Sequence, residues 1–179
     1  MGNKFKWYIV VIAFVLTFSG VYLFYNWHQQ SLVEEPFKEM ISEIEGVKGL
    51  EIEDHRENTK IYVTMENVER LNKVYSNIQE AASINYSEGT YDIKLVDERT
   101  EYLEEVYDGL HFALLEGSRK GNYRQMNEEI SRILSEKEAV NNYRIFVNNE
   151  KIFVQVTTQN GFLYEIIPLH TYDQQKSPV

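Results

Sequence analysis

The sequence has no cysteine among its 179 residues. Without cysteine the chain can form no disulfide bond and carries no thiol nucleophile. The absence also excludes a lipoprotein, whose lipid is attached to an N-terminal cysteine. The folded chain must therefore be stabilised by packing, and any attachment to a membrane must come from apolar side chains.

Basic residues are scarce as well. The chain has 18 Lys and Arg against 28 Asp and Glu, and all of the acidic residues follow position 33. The part beyond that position has 16 basic residues, so its net charge is −12. This charge disfavours binding to nucleic acid or docking on an anionic lipid surface, since both require positive charge. It fits a domain that meets polycations or metal ions, or an acidic surface that serves solubility alone.

Charged residues are absent from Trp7 to Tyr25, a run of nineteen residues. A helix of that length spans roughly 28 Å, close to the hydrocarbon thickness of a bilayer. Tryptophan and tyrosine stand at both ends of the run, where their amphipathic rings favour the membrane interfaces. The run therefore predicts a transmembrane helix over residues 7–25.

The flanks of this run predict its orientation. Lys4 and Lys6 precede it, and no Lys or Arg follows until Lys38. The positive-inside rule then places the N-terminus in the cytoplasm and the rest of the chain outside the membrane. A cleaved signal peptide is the alternative, because the N-terminal region is short and basic. The apolar run is longer than a usual signal peptide's, and Phe18-Ser19-Gly20 is a poor cleavage site, so we expect an uncleaved anchor.

The spacing of apolar residues predicts a first folded module at residues 36–97. Helical spacing from Phe37 to Ile44 is followed by two alternating strands joined by a turn at Arg56-Glu57-Asn58-Thr59. A second amphipathic helix is predicted over 67–83, and Tyr91 begins a third strand. The order αββαβ predicts a three-stranded sheet with two helices on one face.

A second module is predicted at residues 98–170. An apolar stripe predicts a helix over 98–116, then a basic turn, Ser118-Arg119-Lys120, between Gly117 and Gly121. A further helix begins at Tyr123, and three strands follow as an antiparallel meander. The chain as a whole is thus predicted to be α+β, divided into a stub and transmembrane anchor, a neck, the αββαβ module, the αα-βββ module and a tail (1–27, 28–35, 36–97, 98–170 and 171–179).

The same periodicities predict the residues that fill the core. They come from every predicted helix and strand beyond the neck: Ile41, Ile44, Ile61, Val63, Leu71, Ile78, Ile93, Leu110, Leu114, Ile130, Ile133, Val147 and Val154.

A single N-terminal anchor followed by an αββαβ order over residues 36–96 resembles small modules that build rings or scaffolds in bacterial envelopes. These are the ring-building motifs of sporulation and secretion channels, and BON-type domains. The later half, with His111-Phe112-Ala113-Leu114-Leu115-Glu116-Gly117 and Tyr164-Glu165-Ile166-Ile167-Pro168, resembles uncharacterised bitopic envelope proteins of Gram-positive bacteria. The resemblance implies an envelope protein and transfers no active residue.

The residues that carry chemistry are scattered. The four histidines lie far apart, and only Asp108-x-x-His111 has the spacing of metal ligands on a helix. The acidic strip Glu101, Glu104, Glu105 and Asp108 is compatible with cation binding, but a solvated helix face is the better explanation. Phosphate-binding loops, nucleophile elbows and metalloprotease motifs are absent from the sequence. We therefore predict no enzyme activity, no catalytic residue, no metal site and no cofactor.

Tyrosine is abundant, with 13 in the chain. Exposed tyrosines are common in recognition surfaces, although the same residue also fills half-buried positions in sheets. Tyr107 and Tyr164, together with Arg119 and Lys120 of the basic turn, are the predicted contact residues. The expected partner is an envelope protein or a second copy of the chain.

Two functions fit these observations. The first is a non-enzymatic, membrane-anchored interaction or scaffold protein of the bacterial cell envelope. The alternative is a membrane-tethered sensing or inhibitory domain that holds a small molecule or peptide between the helical hairpin and the C-terminal meander. An exposed interaction surface would favour the first, and an apolar pocket with convergent polar groups would favour the second.

Overall fold

The computed structural model describes residues 7–29, 35–55 and 58–169. Lys4 and Lys6, the middle of the predicted neck, the Arg56-Glu57 part of the predicted turn and the predicted tail lie outside these residues. The described ranges contain five helices and six strands: α1 (Trp7–Gln29), α2 (Glu35–Ser42), β1 (Val47–His55), β2 (Asn58–Met65), α3 (Leu71–Asn85), β3 (Tyr91–Val96), α4 (Glu101–Lys120), α5 (Tyr123–Ser135), β4 (Val140–Val147), β5 (Lys151–Thr158) and β6 (Phe162–Pro168). The predicted α+β class is confirmed.

Helix α1 contains the uncharged run of the sequence and is 23 residues long. Its side chains are described from Val10 to Tyr22, and every one of them is exposed. In the part of the chain that the structure describes, no helix combines the length and the apolarity that crossing a membrane requires.

The first three strands form sheet 1 in the order β1-β2-β3, with β1 antiparallel and β3 parallel to β2. Burial alternates along β2, where Ile61, Val63 and Met65 are buried and the residues between them are not. Helices α2 and α3 cover this one face, and Phe37 and Ile41 of α2 share an apolar cluster with the β2 side chains. The predicted three-stranded sheet with two helices on one face is confirmed.

The last three strands form sheet 2, an antiparallel meander in the order β4-β5-β6, as predicted. Its central strand differs from that of sheet 1, because the five consecutive residues from Ile152 to Val156 are all buried. Ile152, Val154 and Val156 lie in a second apolar cluster with the buried faces of α4 and α5. Since successive side chains of a strand point to opposite faces, both faces of sheet 2 are covered.

Helix α3 packs against both sheets. It contributes to the cluster on sheet 1, and the ring of its Tyr75 lies 5.7 Å from that of Phe153 on β5. Gln155, on the same face of β5, donates a hydrogen bond from Nε2 to the Val68 carbonyl and accepts one from the Leu71 amide at 3.4 Å. The two halves of the chain are therefore joined through a common apolar cluster and by hydrogen bonds to the start of α3.

Most of the predicted core is buried. The nine buried members are Ile41, Ile61, Val63, Leu71, Ile78, Leu110, Leu114, Ile130 and Val154. The other four, Ile44, Ile93, Ile133 and Val147, are partly buried and pack against the two clusters. They lie on the edge strands β3 and β4 or near helix ends, where the fold covers a side chain from fewer directions.

The predictions that α4 ends at residue 116 and that a basic turn follows it are wrong. Residues 118–120 form the last turn of α4. Gly117 lies inside the helix. Met126 of α5 occupies the space that a Cβ at position 117 would need, so glycine lets the two helices approach closely. The helix ends at Gly121, whose φ of +70° suits glycine and whose amide donates to the Gly117 carbonyl at 2.9 Å.

Candidate interaction surface

Helix α4 has a buried face toward sheet 2 and an exposed face opposite. The hydroxyl of Thr100 caps its first turn by accepting a hydrogen bond from the Leu103 amide at 3.3 Å. Acidic residues in the first turn and basic residues in the last turn interact favourably with the helix dipole and stabilise the helix. The exposed side is called the outer face of α4, and it consists of the exposed residues Glu104, Glu105, Asp108, Phe112, Glu116 and Arg119 and the partly buried Leu115.

Phe112 lies at the centre of the outer face and is 79% exposed. It follows Leu110 by two positions, which turns it about 200° away from the buried stripe. The ring of His111 lies 5.9 Å from the ring of Phe112 and also 5.9 Å from the ring of Tyr107. The three rings form a contiguous row that runs from the half-buried Tyr107 to the exposed Phe112, and aromatic residues such as Tyr and Phe are enriched at protein interfaces.

The inner end of this row is held by an ionic network. Arg99 lies 5.8 Å from the centre of the Tyr107 ring, and its Nη2 is 3.0 Å from Asp97 and 2.9 Å from Glu165. Burial lowers the pKa of Arg99, but its hydrogen bonds to the two carboxylates outweigh burial and raise that pKa. Burial, and then the charge of Glu165, raise the pKa of Tyr107. Tyr107 is therefore half-buried and anchored, whereas Phe112 is free to contact a partner.

The charges on the outer face are separated along the helix. Glu104, Glu105 and Asp108 lie before Phe112, and Arg119 and Lys120 lie after it together with one acid, Glu116. Lys120 bonds Glu116 of the preceding turn at 2.8 Å, and this bond lowers the pKa of the Glu116 carboxyl. Arg119 has no ion-pair partner within residues 35–55 and 58–169. The predicted contact residues Arg119 and Lys120 are thus both exposed, but on a helix rather than in a turn.

Tyr164, the fourth predicted contact residue, is buried. Its side chain is 3% exposed, and its hydroxyl accepts a hydrogen bond from the Val68 amide at 2.7 Å and donates one to the Glu66 carbonyl at 3.0 Å. Its own amide donates to Asp97 Oδ2 at 2.7 Å. Tyr164 was predicted as a contact residue, but its side chain is buried, where it joins β6 to the loop before α3. Tyr107, Arg119 and Lys120 remain candidates.

The acidic strip on α4 is a solvated face in the described structure. Glu101, Glu104, Glu105 and Asp108 are all exposed, and His111 contacts aromatic rings. No three His, Cys, Asp or Glu side chains converge as metal ligands anywhere in the described ranges. The strip therefore contributes negative charge to the outer face of α4.

The alternative function placed a ligand between the helical hairpin and the meander. That interface is filled by Leu110, Leu114, Ile130 and Val154, which are at most 1% exposed. A cavity of about 1010 Å³ lies elsewhere, between α3 and the β4–β5 turn, where Gln79, Asn148 and other polar residues line it. Ligand pockets are usually apolar with a few convergent polar groups, so this open polar groove gives the alternative no support.

Phe112 was missed by the sequence reasoning, although the sequence contains the signal. The apolar stripe of α4 runs through Leu103, Val106, Leu110 and Leu114, and Phe112 falls on the opposite side of the helical wheel. An aromatic residue opposite an apolar stripe could have been proposed as a contact residue. The network of Asp97, Arg99 and Glu165 had no comparable signal, because its members meet only in the folded chain.

Comparisons with known proteins add no function to this geometry. No protein-family model matches the sequence, and a search of curated proteins found no similar one. Any functional conclusion must therefore be drawn from the chain itself.

Proposed function

We propose that the chain is a non-enzymatic interaction or scaffold protein of the bacterial cell envelope, anchored by one membrane span at residues 7–25. The N-terminus lies in the cytoplasm and the domain lies outside the membrane. The domain binds a protein partner, an envelope protein or a second copy of the chain, through the outer face of α4. It acts without a cofactor or a metal and does not bind nucleic acid.

The anchor is supported by the chemistry of α1. Its sequence from Trp7 to Tyr25 is uncharged, and its large apolar side chains between Val10 and Tyr22 are 45–69% exposed. A helix that is apolar on all sides is stable only inside a protein or in lipid. Water would be in contact with a continuous apolar surface of a kind that soluble monomers avoid, and a bilayer removes that cost.

The observation that carries the binding proposal is the exposure of Phe112. An isolated exposed apolar residue needs no explanation, but this one continues a row of rings and lies between charges of opposite sign. Aromatic anchors surrounded by charged groups are typical of protein interfaces. The net charge of −12 beyond position 33 supports a protein partner over nucleic acid.

The orientation is tested by adding protease to intact protoplasts. We expect the domain to be digested and a short N-terminal fragment to stay protected by the membrane. Substituting Lys4→Gln and Lys6→Gln together is a sharper test, because it removes the charge bias and should give a mixture of orientations. A domain that resists protease until the membrane is permeabilised would overturn the proposed orientation.

The contact surface is tested by photocrosslinking in living cells. A photoreactive amino acid is placed at Tyr107, Phe112 or Arg119, and the control is the same amino acid at Lys94 on the solvent side of sheet 1. We expect a discrete protein adduct from the positions on α4 and much less from position 94. Equal adducts from all positions would indicate random collisions. A purified chain that turned over a substrate and lost this activity in His111→Ala would contradict the non-enzymatic proposal.

A further inference from the structure

The outer face of α4 has an internal symmetry that suggests which partner it binds. Glu105 lies seven residues before Phe112 and Arg119 lies seven residues after it. At 1.5 Å per residue both lie about 10.5 Å from Phe112 along the axis, in opposite directions. At 100° per residue each lies within about 20° of the line through Phe112. All three side chains are exposed.

We propose that the outer face of α4 binds the same face of a second copy, with the two helices antiparallel and related by a two-fold axis at Phe112. In this arrangement Phe112 of one copy packs on Phe112 of the other. The acidic Glu105 of each copy then lies level with the basic Arg119 of its neighbour. The proposal rests on the proposed function and names the partner as the chain itself.

A two-fold interface requires a surface that is complementary to itself, and the charges on α4 meet this requirement. Antiparallel packing pairs unlike charges at both ends of the contact, whereas parallel packing would bring Glu105 onto Glu105 and Arg119 onto Arg119. Arg119 has no ion-pair partner within residues 35–55 and 58–169, so an acidic group from a second copy can approach it. Charge complementarity therefore selects the antiparallel orientation.

The two acids nearest to Phe112 on the outer face do not oppose this packing. Asp108 and Glu116 lie four residues either side of Phe112, and each is rotated by about 40° from the line through Phe112, in opposite directions. A two-fold axis perpendicular to the helices keeps each flank on its own side, so Asp108 of one copy does not face Glu116 of the other. The charge of Glu116 is also neutralised by Lys120 at 2.8 Å.

The contact is one helix face and is small. Two copies anchored in the same membrane have a much higher effective concentration than free molecules, so a weak contact can still hold them together. Because both anchors enter the same membrane, the two-fold axis of such a dimer must lie along the membrane normal.

The experiment uses full-length chains in membrane vesicles and exploits the absence of native cysteine, so that each introduced thiol is unique. Single variants Phe112→Cys, Glu105→Cys and Arg119→Cys are prepared with two affinity tags, and a short bismaleimide is added. We expect Phe112→Cys to form a self-linked dimer. We expect Glu105→Cys to link to co-expressed Arg119→Cys, and each of these variants alone to link at least about tenfold less, because its two thiols are about 21 Å apart along the helices.

The combination of Glu105→Cys with Arg119→Cys removes only one of the two charge contacts of the dimer. Linking Glu105→Cys of one copy to Arg119→Cys of the other leaves the second Glu105–Arg119 contact of the dimer intact. Efficient self-linking of Glu105→Cys and of Arg119→Cys would show a parallel dimer and overturn the proposed geometry. Equal linking of every combination would indicate collisions in the membrane and would overturn it as well.

Charge exchange gives a second, independent test. We expect Glu105→Arg or Arg119→Glu alone to lower the dimer fraction, and the double variant to restore it. Phe112→Asp should lower the dimer fraction by about tenfold or more, the usual scale for an anchor residue. Ile84→Asp is the matched control, because Ile84 on α3 is also an exposed apolar residue, at 66%, and should leave the dimer fraction unchanged.

Different experimental outcomes would overturn the self-association and the proposed function. If the photoreactive amino acid at Phe112 forms adducts with another envelope protein while the chain stays monomeric in vesicles, the self-association is wrong and the proposed function stands. If no adduct of either kind forms in cells, both fail. Adducts with a second copy, together with the antiparallel pattern of thiol linking, would support both.

Discussion

The two sheets of this protein have the same number of strands but differ in how many of their faces are covered by helices. In sheet 1 the central strand β2 buries Ile61, Val63 and Met65 and presents the residues between them to the outside. In sheet 2 the central strand β5 buries five consecutive residues from Ile152 to Val156. The difference arises because α3 lies against sheet 2 on the side opposite to α4 and α5. Sheet 2 is therefore the centre of the fold, and sheet 1 is an outer layer.

The sequence of each central strand indicates whether one or both of its faces are covered. Strand β2 reads Asn-Thr-Lys-Ile-Tyr-Val-Thr-Met, an alternation of polar and apolar residues. Strand β5 reads Lys-Ile-Phe-Val-Gln-Val-Thr-Thr, with its four apolar residues within five positions and a single polar residue, Gln155, among them. Strands buried on both faces lose the alternation, and the amide of Gln155 is accommodated because Val68 and Leu71 provide hydrogen-bond partners.

The largest loss of stability is expected from truncating Phe153, which lies on the face of β5 that α3 covers. Phe153→Ala should lower the free energy of unfolding by about 3–5 kcal/mol, because the ring is 4% exposed and its loss leaves a cavity against Tyr75. The matched control is Tyr62→Ala on the uncovered face of β2, with an expected loss of about 1 kcal/mol or less. Urea titrations of the full chain in detergent measure both. Equal losses would mean that the two central strands are not differently covered.

A pH titration sharpens the same comparison. Burial, and then the charge of Asp92, raise the pKa of Tyr75 to about 12. Because the folded state holds this proton more tightly than the unfolded state, the stabilisation is complete below pH 10 and is lost as pH rises from 10 toward 12. We expect a loss of about 2 kcal/mol over that interval.

The control for the titration is Tyr75→Phe, which removes the ionising group. Its free energy of unfolding should fall less steeply above pH 10 than that of the parent chain. Tyr107 and Tyr164 also have raised pKa values, so some slope should remain. A variant with the same slope as the parent would show that Tyr75 is not buried between α3 and sheet 2.

A smaller effect is expected from the hydroxyl of Tyr164. Tyr164→Phe leaves the Val68 amide and the Glu66 carbonyl without their partner and should cost about 1–2 kcal/mol. The control is Tyr62→Phe, whose hydroxyl lies 3.3 Å from Glu53 on the exposed side of sheet 1. That variant should change stability by less than about 0.5 kcal/mol. If Tyr164→Phe were equally neutral, the loop before α3 would not depend on sheet 2.

The smallest effect is expected on the solvent side of sheet 1. Lys94 pairs with Asp92 at 3.1 Å, and their side chains are 57% and 45% exposed. Exposed pairs contribute little because water and salt screen them, so Lys94→Ala should change the free energy of unfolding by less than about 0.5 kcal/mol. A loss above 2 kcal/mol would show that something covers this face of sheet 1.

Much of the fold could be predicted because it depends on local periodicity. The element order, the two three-stranded sheets and nine of the core residues were correct, since each amphipathic helix or alternating strand marks its buried side along the chain. Ile133 shows the limit of that reasoning. Its helical position suits the core, but α5 is covered only in part near its end, so the residue stays half-exposed.

The candidate surface was predicted only in part. Arg119 and Lys120 could be singled out by their charge, whereas their place in the last turn of α4 depends on Gly117. Glycine at that position would normally predict a turn, but here it lies within a helix, where its missing Cβ leaves room for Met126. The role of this glycine in helix packing is visible only in the tertiary structure.

The sequence by itself determined the α+β class, the order of the elements and the acidic character of the chain, because these follow from composition and from the period of apolar residues. Only the tertiary structure decided which aromatic residues are inside and which are outside. Tyr164 is buried because its hydroxyl meets Val68, 96 residues away, and no local pattern encodes such a contact. Phe112 is exposed because sheet 2 takes up only the opposite face of α4, and this leaves the ring for a partner.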